Sequence, residues 1–237
     1  MSLHCSVCCV LACAACSMPP VHAATLYVSP AGAHISPYDT WARASTTIAA
    51  AVSAAYDGDG IIVSNGTYRI TSAVNVRKGV SVQSLGGREV TIVEAHGNTR
   101  VLYLAHPDVR IDGLTLRGGN YNLSGAGVFC ISGLVRNCVI EDCHSTSFGG
   151  GAMLNIGMFS NCLVRGNTAS GDGGGIHCSY GAIVDCTIAG NYSGANGGGV
   201  ASEAGGTLEI VGSNISSNEA ALGGGVYVRD PALSGIS

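Results

Sequence analysis

Over the second half of the chain, apolar residues alternate with polar or small ones in short runs, as in Val128-Phe129-Cys130 and Cys138-Val139-Ile140, and no stripe of 3.6-residue period is present. The pattern predicts short strands separated by tight turns. One segment upstream differs. Ser45-Thr46-Thr47 precede Ile48, Val52, Ala55 and Tyr56 at helical spacing, and Gly58 follows Asp57. This predicts a capped amphipathic helix over residues 45–57 with Ile48, Val52 and Tyr56 on its apolar face. The first strand-like run, Ile61-Ile62-Val63, comes directly after it.

The strands recur with a fixed period. The runs Gly125-Ala126-Gly127, Gly149-Gly150-Gly151, Gly173-Gly174-Gly175, Gly197-Gly198-Gly199 and Gly223-Gly224-Gly225 follow one another at steps of 24, 24, 24 and 26 residues. Other columns keep that step: Leu114, Cys138, Cys162, Cys186; Leu116, Ile140, Val164, Ile188; Gly119, Cys143, Asn167, Asn191; with Ser213, Ile215 and Asn218 continuing them. A helix-free repeat of this length, with three short strands, implies an all-β solenoid whose coils stack in parallel at roughly 4.8 Å per turn. Residues of one column then become neighbours. Val128, Ala152, Ile176, Val200, Val226 and Cys130, Leu154, Cys178, Ser202, Val228 form inward columns, and Asn167, Asn191 and Asn218 suit a polar ladder at a turn. The predicted helix is placed to cover the open end of this core.

Composition sharpens the picture. Glycine supplies 36 of 237 residues, about twice the usual ~7%. The chain is 46% hydrophobic and 11% charged, which excludes a disordered polyelectrolyte. A net charge of -4 with 11 Lys and Arg gives no cationic surface for nucleic acid. Residues 1–23 read as a removed secretory signal, with an apolar run from Cys5 to Cys16, and no later segment is apolar and long enough to span a bilayer. Residues 24–60 are read as an entry strand and capping helix, and 61–237 as the coils, with the frame truncated at its carboxy end. Of the 11 cysteines, six follow the signal. Cys138, Cys162 and Cys186 stack within bridging distance of their neighbours, whereas Cys130 and Cys178 stand two turns apart, beyond it; all six are read as small core hydrophobes. No spacing after the signal suits a metal site.

The entry Leu26-Tyr27-Val28-Ser29-Pro30, Trp41-Ala42, the helix, Asp57-Gly58-Asp59 and Asn65-Gly66-Thr67-Tyr68 resemble the amino-terminal caps of right-handed parallel β-helix proteins of the pectate-lyase-like superfamily. The repeats resemble those of polymorphic outer membrane proteins, in which F-x-x-N precedes G-G-A-[ILV]; the counterparts here are Val164 to Asn167, Ile188 to Asn191 and Ile215 to Asn218, each followed by three glycines and an aliphatic residue. The resemblance implies a right-handed β-helix, secreted or held at the cell surface, the outer membrane included. For an enzyme of this superfamily it also implies polysaccharide cleavage, and for a lyase calcium held on clustered acids; no other cofactor is implied.

Function must be argued from a site, since the scaffold carries many. Two columns are candidates. Arg117, Glu141 and Arg165 form the one acid-and-cation column that could serve catalysis, and its alternative is a surface ion-pair ladder. No two acids stack, although glycoside hydrolysis requires a facing pair. The outward column Phe129, Met153, His177, Ala201, Tyr227 is a candidate contact stripe for a polysaccharide or a cell-surface partner. The reading is a secreted or surface-displayed binding or adhesion scaffold; the alternative is a polysaccharide lyase or glycoside hydrolase.

Overall fold

A computed structural model describes residues 23–229, so the apolar Cys5–Cys16 run and the last eight residues lie outside the described residues. The chain coils into a right-handed parallel β-helix. A 10-stranded and a 7-stranded parallel sheet run along it and a 4-stranded one covers the coils from Asn120 to Ser193, each strand pairing with its counterpart one coil away. The registers match the columns: Val128 pairs with Ala152, Ala152 with Ile176, Ile176 with Val200, and Val200 with Val226.

The three strands of a coil differ in length. In one coil they are Val128–Arg136, Val139–Glu141 and His144–Ser145. The first is not short, as the alternation suggested, but a nine-residue strand with a bend. Pairing is regular at Val128–Cys130 and again at Leu134–Arg136, and between them the chain turns on Gly133 at φ 125°. Glycine adopts that backbone without a Cβ clash, so the chain bends where a turn was expected.

Two corners of each coil rest on a single left-handed residue. Asn137, Asn161 and Asp185 have φ of 54°, 50° and 53°, and Asp142, Gly166 and Gly190 have 52°, 63° and 65°. These residue types tolerate that region, which explains why Asn, Asp and Gly interchange in both columns. The glycine runs make the third corner. A Cβ on Gly173 would lie 2.6 Å from the Ile176 carbonyl oxygen, and one on Gly175 would lie 2.6 Å from that of Gly199 in the next coil. Only glycine lets neighbouring coils approach so closely there.

Inside, Leu104, Leu116, Ile140, Leu154, Phe159, Ile176 and Ile188 are among the largest fully buried side chains. Burial of each contributes on the order of 1.5–3 kcal/mol. All six cysteines of the coils are buried free thiols. Those of Cys138, Cys162 and Cys186 donate to the carbonyls of Arg136, Ser160 and Val184, so one column repeats the same local bond. Behind the second corner runs a buried amide ladder. Asn167 donates from both its backbone N–H and its side-chain amide to Asn191 Oδ1, each at 3.0 Å, and Asn191 does the same to Asn218 Oδ1 at 2.9 Å.

The amino-terminal end is capped by the helix Ile48–Ala54, which buries Ile48, Ala51 and Val52 against the core. The Thr47 hydroxyl accepts from the Ala50 N–H at 3.2 Å. At the other end Lys78 Nζ donates to the Ser53 and Ala55 carbonyls, satisfying the last turn and its negative dipole. The helix stops three residues short of Asp57, and Tyr56 is not on its apolar face. Ala55 turns extended, with ψ 158°, before residue 56 can come round, leaving Tyr56 74% exposed and Ala55 buried in its place. Among the described residues no helix is long and apolar enough to cross a membrane.

Candidate functional site

The acid-and-cation column is real and longer than its spacing suggested. On the outer face of the seven-stranded sheet Arg69, Glu94, Arg117, Glu141 and Arg165 pair in register. Arg117 Nη2 lies 2.8 Å from Glu94, and Arg165 Nη2 lies 2.7 Å from Glu141. Arg117 thus pairs with Glu94 rather than Glu141, and the acid held between two cations is Glu94, which also accepts from Arg69 at 3.2 Å. Desolvation pushes the Glu94 carboxyl up, but hydrogen bonds from Arg69, Arg117 and His96 outweigh it and hold the group below the usual glutamate range. An acid held ionised by its partners is a poor proton carrier at neutral pH. Glu94 and Arg69 escaped the sequence reading because the first coils depart from the 24-residue step: Glu94 stands 23 residues before Arg117 and Arg69 stands 25 before Glu94. Among the described residues no three His, Cys, Asp or Glu side chains gather as metal ligands.

The outward column on the ten-stranded sheet also exists, with one correction. Phe129, Met153 and Tyr227 remain half-buried, but His177 and Ala201 are buried. Phe148, from the loop of the preceding coil, lies over the His177 ring with centroids 5.0 Å apart, so the stripe is interrupted at its middle. Burial pushes the His177 pKa down, against the pull of Glu203 and Asp172, and its Nδ1 has no partner. His177 is therefore a covered, neutral imidazole and not an exposed contact residue.

Toward the cap the column continues through Tyr103 and Asn75. The Tyr103 and Phe129 rings stack with centroids 5.7 Å apart and planes 11° off parallel. Beside them lies Arg100, only 9% exposed. Its Cζ is 4.3 Å from the Tyr121 ring centroid, 4.6 Å from that of Phe129 and 5.6 Å from that of Tyr103, and Cζ of Arg77 lies 5.0 Å from the Tyr103 centroid. Nη2 of Arg100 donates to the Ser124 carbonyl at 3.2 Å, while its Nε has no partner. The two cations and the two tyrosines line a hollow of about 390 Å³ with Asn75 and Asn98. The coil that opens with the strand Leu102–Asp112 makes this possible. Leu102 N–H bonds Gly127 as Val128 N–H bonds Gly151, so Arg100 occupies the corner that later coils fill with Ala126 and Gly150. A side chain in place of corner glycine was the signal that could have found it.

No family model matches the chain, and no curated protein matches it. Among solved structures it is similar to a rhamnogalacturonan lyase, at 14% identity and a TM-score of 0.50 over 80% of this chain and 56% of that one. It is also similar to the pectin methylesterase from Aspergillus niger, at 11% identity and a TM-score of 0.50 over 93% of this chain and 86% of that one. The chain thus spans just over half the length of the lyase. What is common at such identities is the parallel β-helix.

Proposed function

We propose that this β-helix is a carbohydrate-binding protein whose ligand lies along the outer face of the ten-stranded sheet, at the end nearest the cap. One observation carries the reading: the stacked Tyr103 and Phe129 rings lie on the outward face of that sheet and keep part of their surface in water. Aromatic faces that stay half-wet suit the apolar faces of sugar rings, which bring hydroxyls at their edges. The neighbouring Tyr121 and the amides of Asn75 and Asn98 supply polar contacts beside the platform. Export, with the protein secreted or displayed at the cell surface, belongs to the same proposal and rests on the apolar Cys5–Cys16 run.

Affinity electrophoresis through gels loaded with pectic polymers tests the binding reading. Retardation of the wild type, reduced by Phe129→Ala and unchanged by Tyr227→Ala, which lies four coils away beyond the covered His177, is the expected result. Glu141→Gln, on the other face, serves as the control. Equal mobility of wild type and Phe129→Ala in a gel that retards both overturns the placement.

Processing of the bound polymer is the second reading, favoured by the fold shared with a rhamnogalacturonan lyase and a pectin methylesterase. Incubation with polygalacturonate, with and without calcium, distinguishes the two. Unsaturated products absorbing in the ultraviolet and lost in Glu141→Gln or Arg165→Ala support processing at the ladder face, and retardation without products leaves binding alone.

A further inference from the structure

We propose that the hollow between Arg77 and Arg100 is an anion subsite that takes a carboxylate or sulfate carried on a sugar ring, a refinement that rests on the carbohydrate-binding reading above. The argument begins with the charge of Arg100. A guanidinium stays protonated in proteins, and a buried cation is ordinarily matched by an anion or fully hydrogen-bonded. Burial depresses the Arg100 pKa, with the Tyr121 and Tyr103 hydroxyls the only groups pulling against it. No carboxylate pairs with Arg100 or with Arg77 among the described residues, whereas Arg43, Arg69, Arg88, Arg117, Arg136 and Arg165 each have one.

What surrounds the guanidinium fixes it without neutralising it. Three rings lie around it, and their quadrupoles attract the cation, but a ring offers the Nε–H no in-plane acceptor. One N–H of Arg100 is committed to the Ser124 carbonyl, and the unpartnered Nε leaves a donor unsatisfied. Arg77 brings a second, exposed guanidinium to within 5.0 Å of the Tyr103 ring centroid. Two cations and two tyrosines lining one hollow of about 390 Å³ match a single sugar ring that packs on the aromatic groups while its anionic substituent meets the guanidinium donors.

Isothermal titration calorimetry of the full chain with three oligosaccharides of equal length tests the proposal: an oligogalacturonate, a sulfated oligosaccharide and a neutral galacto-oligosaccharide. The expected result is at least tenfold tighter binding of an anionic oligomer than of the neutral one, from one charge-assisted contact. Carboxylate and sulfate ligands are separated by which anionic arm binds more tightly. Arg77→Gln, at an exposed position, reduces that preference about tenfold without changing the melting temperature. Arg100→Lys keeps the charge and loses the planar donors, so it weakens the anionic oligomers selectively. Equal affinity for all three ligands, unaltered in Arg77→Gln, overturns the subsite while the carbohydrate reading stands. No binding of any of the three overturns both.

Discussion

Replacing Asn191 by Ala removes the middle rung of the buried amide ladder. The Asn191 Oδ1 accepts from the Asn167 N–H and side-chain amide, each at 3.0 Å, and its Nδ2 donates to the Val164 carbonyl at 3.0 Å. At 1% exposure no bulk water reaches these groups. Truncation therefore strands one backbone donor, one backbone acceptor and one amide hydrogen, each at roughly 1–3 kcal/mol, although Asn167 keeps its other bond to the Ile140 carbonyl. Allowing for relaxation, the loss is about 3–5 kcal/mol, which at ~2–4 °C per kcal/mol for a chain of this size lowers the melting temperature by on the order of 10 °C. Circular dichroism melting of Asn191→Ala against the exposed control Asn214→Ala measures it. A shift within about 2 °C of the control would show that the ladder bonds add nothing beyond turn formation, and the reasoning would fail.

Three further outcomes are expected. Ile48→Ala costs about 2–4 kcal/mol because it opens a void under the cap, whereas Tyr56→Ala stays within about 0.5 kcal/mol; urea midpoints that reverse this order would return Tyr56 to the buried face. The thiols of Cys130, Cys143 and Cys178 are each pushed up to about 12 by burial, so alkylation followed by peptide mass spectrometry labels them only after denaturation, and two or more disulfides among the six coil cysteines would contradict the column packing. The folded state lowers the His177 pKa, so between its unfolded value near 6.5 and the depressed folded value the unfolded chain binds more protons, and stability falls as pH falls through that window. His177→Gln lacks this component; identical stability slopes for the two proteins below about pH 6.5 would refute it.

The repeated coils were legible because stacking forces a chemical identity on each column. Every column residue from Val128 to Val226 meets its counterpart one step on, and the glycine and asparagine corners tolerate few substitutes. The less regular features came from tertiary contacts. The long strand bends at Gly133 instead of breaking, so a local turn signal was overridden by sheet pairing on both sides. His177 shares the outward phase of Met153 yet is covered by Phe148, a ring contributed by a loop whose path no periodicity specifies. Arg100, Tyr103 and Tyr121 lie in the first coils, where steps of 23 to 26 residues blur the columns, and they meet only because the corner turns there without glycine. The ladder candidate Arg117, Glu141 and Arg165 had its column correct and its pairing displaced by one rung.

Hydroxyl-radical footprinting with a saturating oligogalacturonate tests most directly where a ligand lies. The account predicts a several-fold loss of reactivity at Tyr103, Tyr121 and Phe129, with Met158, 40% exposed on the other limb of the same long strands, unchanged. Undiminished labelling of all three rings, or protection confined to the Arg69 to Arg165 face, would contradict it.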